Sequence, residues 1–171
     1  MNSFTISRTG TYLTVQDFGR FNYQHLGISP SGAMDHRILS ALNTIITKSE
    51  NQFLEFAYVG PSLKITEGAI KACVGGECKI FVQKQNNTQI EHKPYTSINL
   101  FEGDELTIHN TIDSVYGYIA IENGLGLQPC LNSYSTDTKA QIGSIPRPLQ
   151  IGDNFSIENK VSSWDLTFNN D

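Results

Sequence analysis

Apolar and polar positions alternate with a period of two along most of the chain, broken at short intervals by Gly, Pro, Asn and Asp. That is the pattern of strands with one buried face, joined by tight turns. Phe4, Ile6, Tyr12, Leu13 and Val15, interrupted at Thr9-Gly10, predict an N-terminal strand or hairpin over 3–15. Beyond Gln52 the whole chain reads as β. FLEFAY (53–58) alternates, Gly60-Pro61 turns it, and a further strand begins at Ser62 and ends before Glu67-Gly68. The apolar runs 70–74 and 79–82 flank Gly75-Gly76, which predicts a tight hairpin. Asn86-Asn87 and Glu102-Gly103-Asp104 predict more turns, and 116–121 a buried strand. One stretch follows another period: Met34, Ile38, Leu42 and Ile45 recur at helical spacing, with Leu39 and Ile46 widening the stripe. This predicts an amphipathic helix at about 32–47 with Ser31 as its N-cap. Many strands and one helix predict a mainly β fold, a closed or nearly closed barrel with the helix plugging an end.

One repetition stands out: LFEGDELTIHN (100–110) and LQIGDNFSIEN (149–159) share Leu, Gly-Asp, a hydroxyl residue, Ile and Asn in register. So short a match is read as one turn-and-strand device used twice, not as duplicated domains. A chain of 171 residues fits one domain. That domain is expected at 1–160. The segment 161–171, which holds the only tryptophan, Trp164, loses the pattern and reads as a tail or a truncated linker to a second barrel.

Composition narrows the function classes. The net charge is −5, and the 12 basic residues are scattered, so neither nucleic acid nor an anionic membrane is an expected partner. No apolar run approaches the ~20 residues of a membrane span, and MNSFTISRTG lacks the apolar core of a signal, which places the expected protein in the cytoplasm. Three cysteines make no disulfide framework; Cys73 and Cys78, flanking Val-Gly-Gly-Glu, are read as free, semi-buried thiols. The four histidines show no ligand spacing, so no metal is expected.

Candidate chemistry concentrates in TVQDFGRFNYQHLGISPSGAMD (14–35). Asp17 and Arg20 on one turn can form a bidentate pair that holds the loop, or can separately position a substrate's amide and carboxylate. Gln16 beside them offers a donor and an acceptor to a planar polar ligand. Ser29, Ser31 and Gly32 precede the helix, where backbone N–H groups can hold an anion, and Asp35 in the first turn suits the helix dipole. His25 and His36 are candidate acids or bases, with ordinary structural roles as the alternative. Glu55 stands inside FLEFAY, facing away from Leu54 and Phe56: it either points to solvent or enters a barrel mouth, where burial would raise its pKa and make it a candidate base.

The first motif, then LEFAYVGPSLKI, GYIAIENG, SYSTDTKAQIGS and PLQIGD in that order, resemble the KipA-like family, whose members are also described as the C subunit of 5-oxoprolinase, as allophanate hydrolase subunit 2-like or as biotin-dependent carboxyltransferase-like proteins. The resemblance spans roughly 5–157. It implies a cyclophilin-like β-barrel, usually one of two in tandem, and association with a sister subunit of related fold. With a third subunit such proteins resemble an ATP-dependent 5-oxoproline amidohydrolase; in fused relatives the equivalent domains transfer CO₂ from carboxybiotin to urea, and one member antagonises a kinase inhibitor. By position the family pattern falls on Gln16, Asp17, Arg20, Ser31, Asp35, Glu55, Ser135 and Thr136, among others. Tyr134 and Tyr116 stand where the family usually has arginine, and Asn123 where it usually has glycine.

Three functional readings follow from the resemblance. One is a subunit of a 5-oxoprolinase-like amidohydrolase, with Gln16 and Arg20 orienting substrate, Ser31, Asp35, Ser135 and Thr136 completing its binding site, and Asp17 or Glu55 as acid or base. Another is a carboxyltransferase domain served by carboxybiotin from another chain, since no biotin-attachment sequence is present here. The last is a non-catalytic homologue that binds the sister subunit or itself, favoured by the two missing guanidiniums. No cofactor is expected on this chain; ATP or carboxybiotin would be handled by partner subunits.

Overall fold

The computed structural model describes residues 1–46 and 48–158. Its elements are β1 (Asn2–Arg8), β2 (Thr14–Gln16), α1 (His36–Ile45), β3 (Phe53–Ala57), β4 (Ser62–Glu67), β5 (Ala69–Gly75), β6 (Cys78–Gln83), β7 (Gln89–His92), β8 (Ser97–Phe101), β9 (Glu105–Thr111), β10 (Tyr116–Ile121) and β11 (Asn154–Ile157), with a short 3-10 turn at Gln24–Leu26. The strands form two sheets, ordered β11-β1-β4-β9-β6-β7 and β2-β3-β10-β5-β8. The mainly β fold with one principal helix is therefore what the alternation predicted. The segment 161–171 and the domain limit at 160 lie outside the described residues. Among the described residues no helix is long and apolar enough to cross a membrane.

The inner faces of both sheets share one core, which includes Phe4, Ile6, Leu54, Phe56, Val74, Ile80, Ile108 and Ile119. The middle strands of the second sheet are buried on both faces. Leu54, Val74 and Ile119 point inward, while their neighbours Phe53, Cys73, Tyr118 and Ala120 point outward against Leu39, Leu42 and Ile46 of α1 and its C-terminal end. This double burial explains the unbroken apolar run of β10, where alternation gives no polar face. The helix thus lies across the outer face of a sheet and does not plug a barrel end. Leu39 and Leu42 are fully buried there, each contributing about 1.5–3 kcal/mol.

The helix begins later than position 32. Ser31 and Gly32 have φ of 52° and 94°, which no helix accommodates, and the cap is Asp35, whose carboxylate accepts the Arg37 N–H at 2.9 Å. Close packing of α1 depends on Gly75: a Cβ there would stand 2.5 Å from Ile38 Cγ2 and 3.2 Å from Leu42 Cδ1. Gly75→Ala is expected to cost about 1–3 kcal/mol by pushing the helix off the sheet. A urea melt measures it, and an unchanged midpoint would contradict this packing.

The hairpin predicted at Gly75-Gly76, and the hairpin alternative for the N-terminal segment, are crossovers instead. β5 and β6, on either side of Gly75-Gly76, belong to different sheets, as do β1 and β2. A glycine pair turns the chain, but the strands' partners are settled by long-range pairing. Cys73 and Cys78 accordingly lie in separate apolar layers, both as free thiols, and burial pushes them up to about 11 and about 12. Such thiols are unreactive.

The repeated Gly-Asp device is real. Asp104 Oδ2 accepts the Phe101 N–H at 2.9 Å and Lys84 Nζ at 2.7 Å; Asp153 Oδ2 accepts the Gln150 N–H at 2.8 Å and an Arg147 N–H at 2.8 Å. Each turn then exchanges two backbone bonds with an isoleucine: Gly103 and Asp104 with Ile65 of β4, Gly152 and Asp153 with Ile6 of β1. Since β1 and β4 are antiparallel neighbours, the two copies sit as a local two-fold between those strands would place them.

Candidate functional site

At the end of β2 the chain leaves the second sheet, and Asp17 is buried. Its Oδ1 accepts the Gly19 N–H at 2.7 Å, Ser133 Oγ at 2.9 Å and the Ser135 hydroxyl; its Oδ2 accepts the Tyr134 N–H at 2.7 Å. Four donors on one carboxylate tie the loop after β2 to the 133–135 segment. Arg20 lies beneath the same segment, fully buried, with Nε donating to the Cys130 carbonyl at 3.3 Å and Nη2 to that of Ser135 at 2.8 Å. Of the two arrangements open to Asp17 and Arg20, the bidentate fork does not form, because each side chain is used to hold the loop's far side. Arg20 N–H and Ala33 N–H, donating to Pro30 and Asp17 carbonyls, clamp the 30–33 loop alongside.

Above this brace the outer face of the sheet carries a polar row. Thr14, Glu55 and Tyr118 are direct neighbours across β2, β3 and β10. Glu55 is 4% exposed and does not face solvent. Its Oε2 accepts the Met34 N–H at 2.8 Å, and the Tyr118 hydroxyl, which accepts the Asp35 N–H at 2.9 Å, stands beside it on the neighbouring strand and favours its charged form. Burial raises the Glu55 carboxyl above the ordinary range; the Met34 and Tyr118 donors pull it back only in part. Burial and the neighbouring Glu55 push the Tyr118 hydroxyl far up, so it stays protonated.

Gln16 completes the row. Its Nε2 donates to Thr14 Oγ1 at 3.0 Å and to the Thr136 carbonyl at 3.2 Å, while Oε1 is buried and has no partner. A carbonyl can only accept, so the amide cannot be reversed, and Oε1 is the free atom. Gln16, Ser31, Glu55, Tyr116, Thr136 and Asp137 line a cleft of about 260 Å³, with Tyr12, Ser29 and Thr138 at its rim. Ser31 donates to Asp137 Oδ2 at 3.1 Å. The N–H groups of Ala140 and Lys139 converge on Oδ1, and these bonds, Ala140's first, hold the Asp137 carboxyl below its usual range.

Of the residues singled out in the sequence, Gln16, Ser31, Glu55 and Thr136 come together at this cleft. Asp17, Arg20 and Ser135 lie under it as braces, and Asp35 caps α1. Ser31 serves the cleft and not the helix. Thr136 donates its hydroxyl to the Ile145 carbonyl at 2.8 Å, so it is its backbone oxygen that serves Gln16. His25 and His36 are exposed, and His92 and His109 lie on β7 and β9. Sequence reasoning missed Thr14, Tyr118 and Asp137. Asp137 follows Ser135-Thr136 directly and was in view, but Thr14 and Tyr118 are marked only by strand register. A larger cleft, about 370 Å³, is lined by Gln52, Asn123, Leu127 and Tyr134; its glutamates, Glu50 and Glu158, are exposed, and it holds no buried carboxylate.

Two sheets around a shared core, with a loop-braced polar cleft that brings a buried carboxylate and an unpartnered amide oxygen together, define a β-rich domain with one candidate site. The chain belongs to the family "Carboxyltransferase domain, subdomain A and B", whose model matches residues 26–169. It is 34% identical over 151 residues to the C subunit of 5-oxoprolinase from Haemophilus influenzae, covering 85% of this chain and 46% of that protein. To the urea amidolyase of Saccharomyces cerevisiae it is 29% identical over 151 residues, covering 86% of this chain and 8% of that protein. The crystal structure of the K. lactis urea amidolyase superposes with a TM-score of 0.83 at 26% identity, over 94% of this chain and 10% of that one. The chain spans about half the length of the Haemophilus influenzae protein.

Proposed function

We propose that this chain is a subunit of an ATP-dependent assembly that hydrolyses an amide or lactam in the manner of a 5-oxoprolinase, acting with a sister subunit. The observation that carries this is Glu55: a buried carboxylate with a raised pKa, oriented by Tyr118 and Met34, in one cleft with the unpaired acceptor of Gln16. A carboxylate of that kind is a general base, and Gln16 Oε1 is an acceptor for a substrate N–H. The relationship to the 5-oxoprolinase C subunit supports the substrate class. ATP is handled by partner subunits, and a partner surface closes the cleft, which by itself would not exclude water.

The test is reconstitution of this chain with its sister and an ATP-handling subunit. ATP-dependent consumption of 5-oxoproline is expected only from the complete mixture. Binding to the sister subunit without turnover of 5-oxoproline or urea would establish a regulatory homologue in its place.

The family model and the urea amidolyase relative favour a second reading, carboxyl transfer from carboxybiotin on another chain. The cleft does not fit that group unaided. Its lining contains no Lys or Arg, and a transferred carboxylate would meet Glu55 and Asp137.

A further inference from the structure

We propose that the Glu55 cleft grips the N–H edge of an uncharged amide or lactam, that any carboxylate on the ligand must be met by a surface outside this chain, and that Tyr116 is the wall residue setting this preference. The proposal rests on the amide-processing reading and adds which part of a substrate this chain holds.

The acceptors come first. Gln16 is 5% exposed, lines the cleft, and keeps Oε1 unpartnered because Nε2 is committed to Thr14 and Thr136. A buried acceptor left empty is a standing cost to the fold that a ligand N–H removes. Glu55, a second acceptor, lines the same cleft. The available donors are neutral. Ser29 Oγ accepts the Ser31 N–H at 3.2 Å and has its own hydrogen to give, and Tyr12 and Thr138 share one hydroxyl bond at 2.9 Å at the rim. Neutral hydroxyls suit a carbonyl oxygen.

Nothing in the lining suits a carboxylate. The two charged residues there, Glu55 and Asp137, are both acidic. Arg20 is the cation whose charge reaches Asp137, and it does so from behind: its Nε and Nη2 hold the Cys130 and Ser135 carbonyls, its Nη1 is buried without a partner, and the residue is not part of the lining. An anionic ligand would therefore face like charges without a guanidinium fork. Tyr116, the first residue of β10, is half-buried and forms part of the wall; a longer cationic side chain there would supply the missing partner. At about 260 Å³ the cleft is smaller than the roughly 300–1,000 Å³ of sites for drug-sized ligands, so the ligand is a few heavy atoms.

The experiment compares two ligands with one ring, 2-pyrrolidinone and 5-oxoproline, which differ by the carboxylate, titrated against the full chain alone by NMR. 2-Pyrrolidinone is expected to bind about tenfold or more tightly than 5-oxoproline. Tyr116→Arg, which leaves the Gln16 network untouched, should raise 5-oxoproline affinity about tenfold or more with little change for 2-pyrrolidinone. Gln16→Leu, with its fold verified by the same spectra, should weaken both. Equal or tighter binding of 5-oxoproline by the unmodified chain, no binding of either lactam, or no gain in Tyr116→Arg overturns the assignment. Failure of the reconstituted assembly to consume 5-oxoproline while 2-pyrrolidinone still binds would remove the proposed function and leave the cleft assignment standing.

Discussion

Replacing Glu55 by glutamine is expected to lower turnover by the reconstituted assembly about 10²–10⁴-fold, the usual worth of a general base, while the chain folds at least as stably near neutral pH. The substitution keeps an oxygen for the Met34 N–H and a partner for the Tyr118 hydroxyl, so only the proton-accepting capacity is removed. Stability follows from linkage. Burial raises the Glu55 carboxyl in the folded chain, so the folded state binds this proton more tightly than the unfolded state. Stability therefore falls as pH rises from the ordinary glutamate value through the raised one, and stays lower above it. Glutamine never ionises and escapes that loss. The Tm difference between variant and wild type should grow in the variant's favour across this window and then level. The wild-type kcat/KM should rise with pH through a pKa above the ordinary carboxylate range. An undiminished kcat in Glu55→Gln would end the general-base assignment.

Asp17→Ala is expected to produce the largest loss of stability, about 3–5 kcal/mol. It strips the acceptor from the Gly19 and Tyr134 N–H groups and from the Ser133 and Ser135 hydroxyls together. Each buried donor left unpaired costs about 1–3 kcal/mol, less than additively because the loop relaxes. Asp17→Asn should recover only part of the loss, since its NH₂ group would be turned against donors. Urea melts give the magnitude, and turnover measured well below the melting range separates the two roles open to this residue. A brace leaves kcat nearly intact once the chain is folded, whereas a catalytic acid would lose kcat with the fold preserved.

Glu55 shows where reading the sequence stops. Alternation in FLEFAY places its side chain opposite Leu54 and Phe56, and it is so placed, but alternation cannot say what covers that face. The cover is the loop leading into α1, whose Met34 N–H seats on the carboxylate. Ser31 and Asp35 illustrate the same limit at shorter range. Both are good caps by residue type, and only the backbone, with Ser31 at φ 52°, decides that Asp35 takes the role. Asp17 and Arg20 suggested an ion pair by proximity in the chain, yet partners more than a hundred residues away claim both.

Residue order by itself determined the element types, the helical stripe, the twice-used Gly-Asp turn and the family, because these rest on local periodicity and on motifs read in line. The tertiary structure alone decided which strands share a sheet, which face the helix covers, and which polar residues meet at the cleft. Period and turn chemistry set the direction of a side chain relative to its neighbours, whereas burial, charge and hydrogen-bond partners depend on distant segments brought against it. Thr14, Gln16, Glu55 and Tyr118 became one site only when β2, β3 and β10 paired in register.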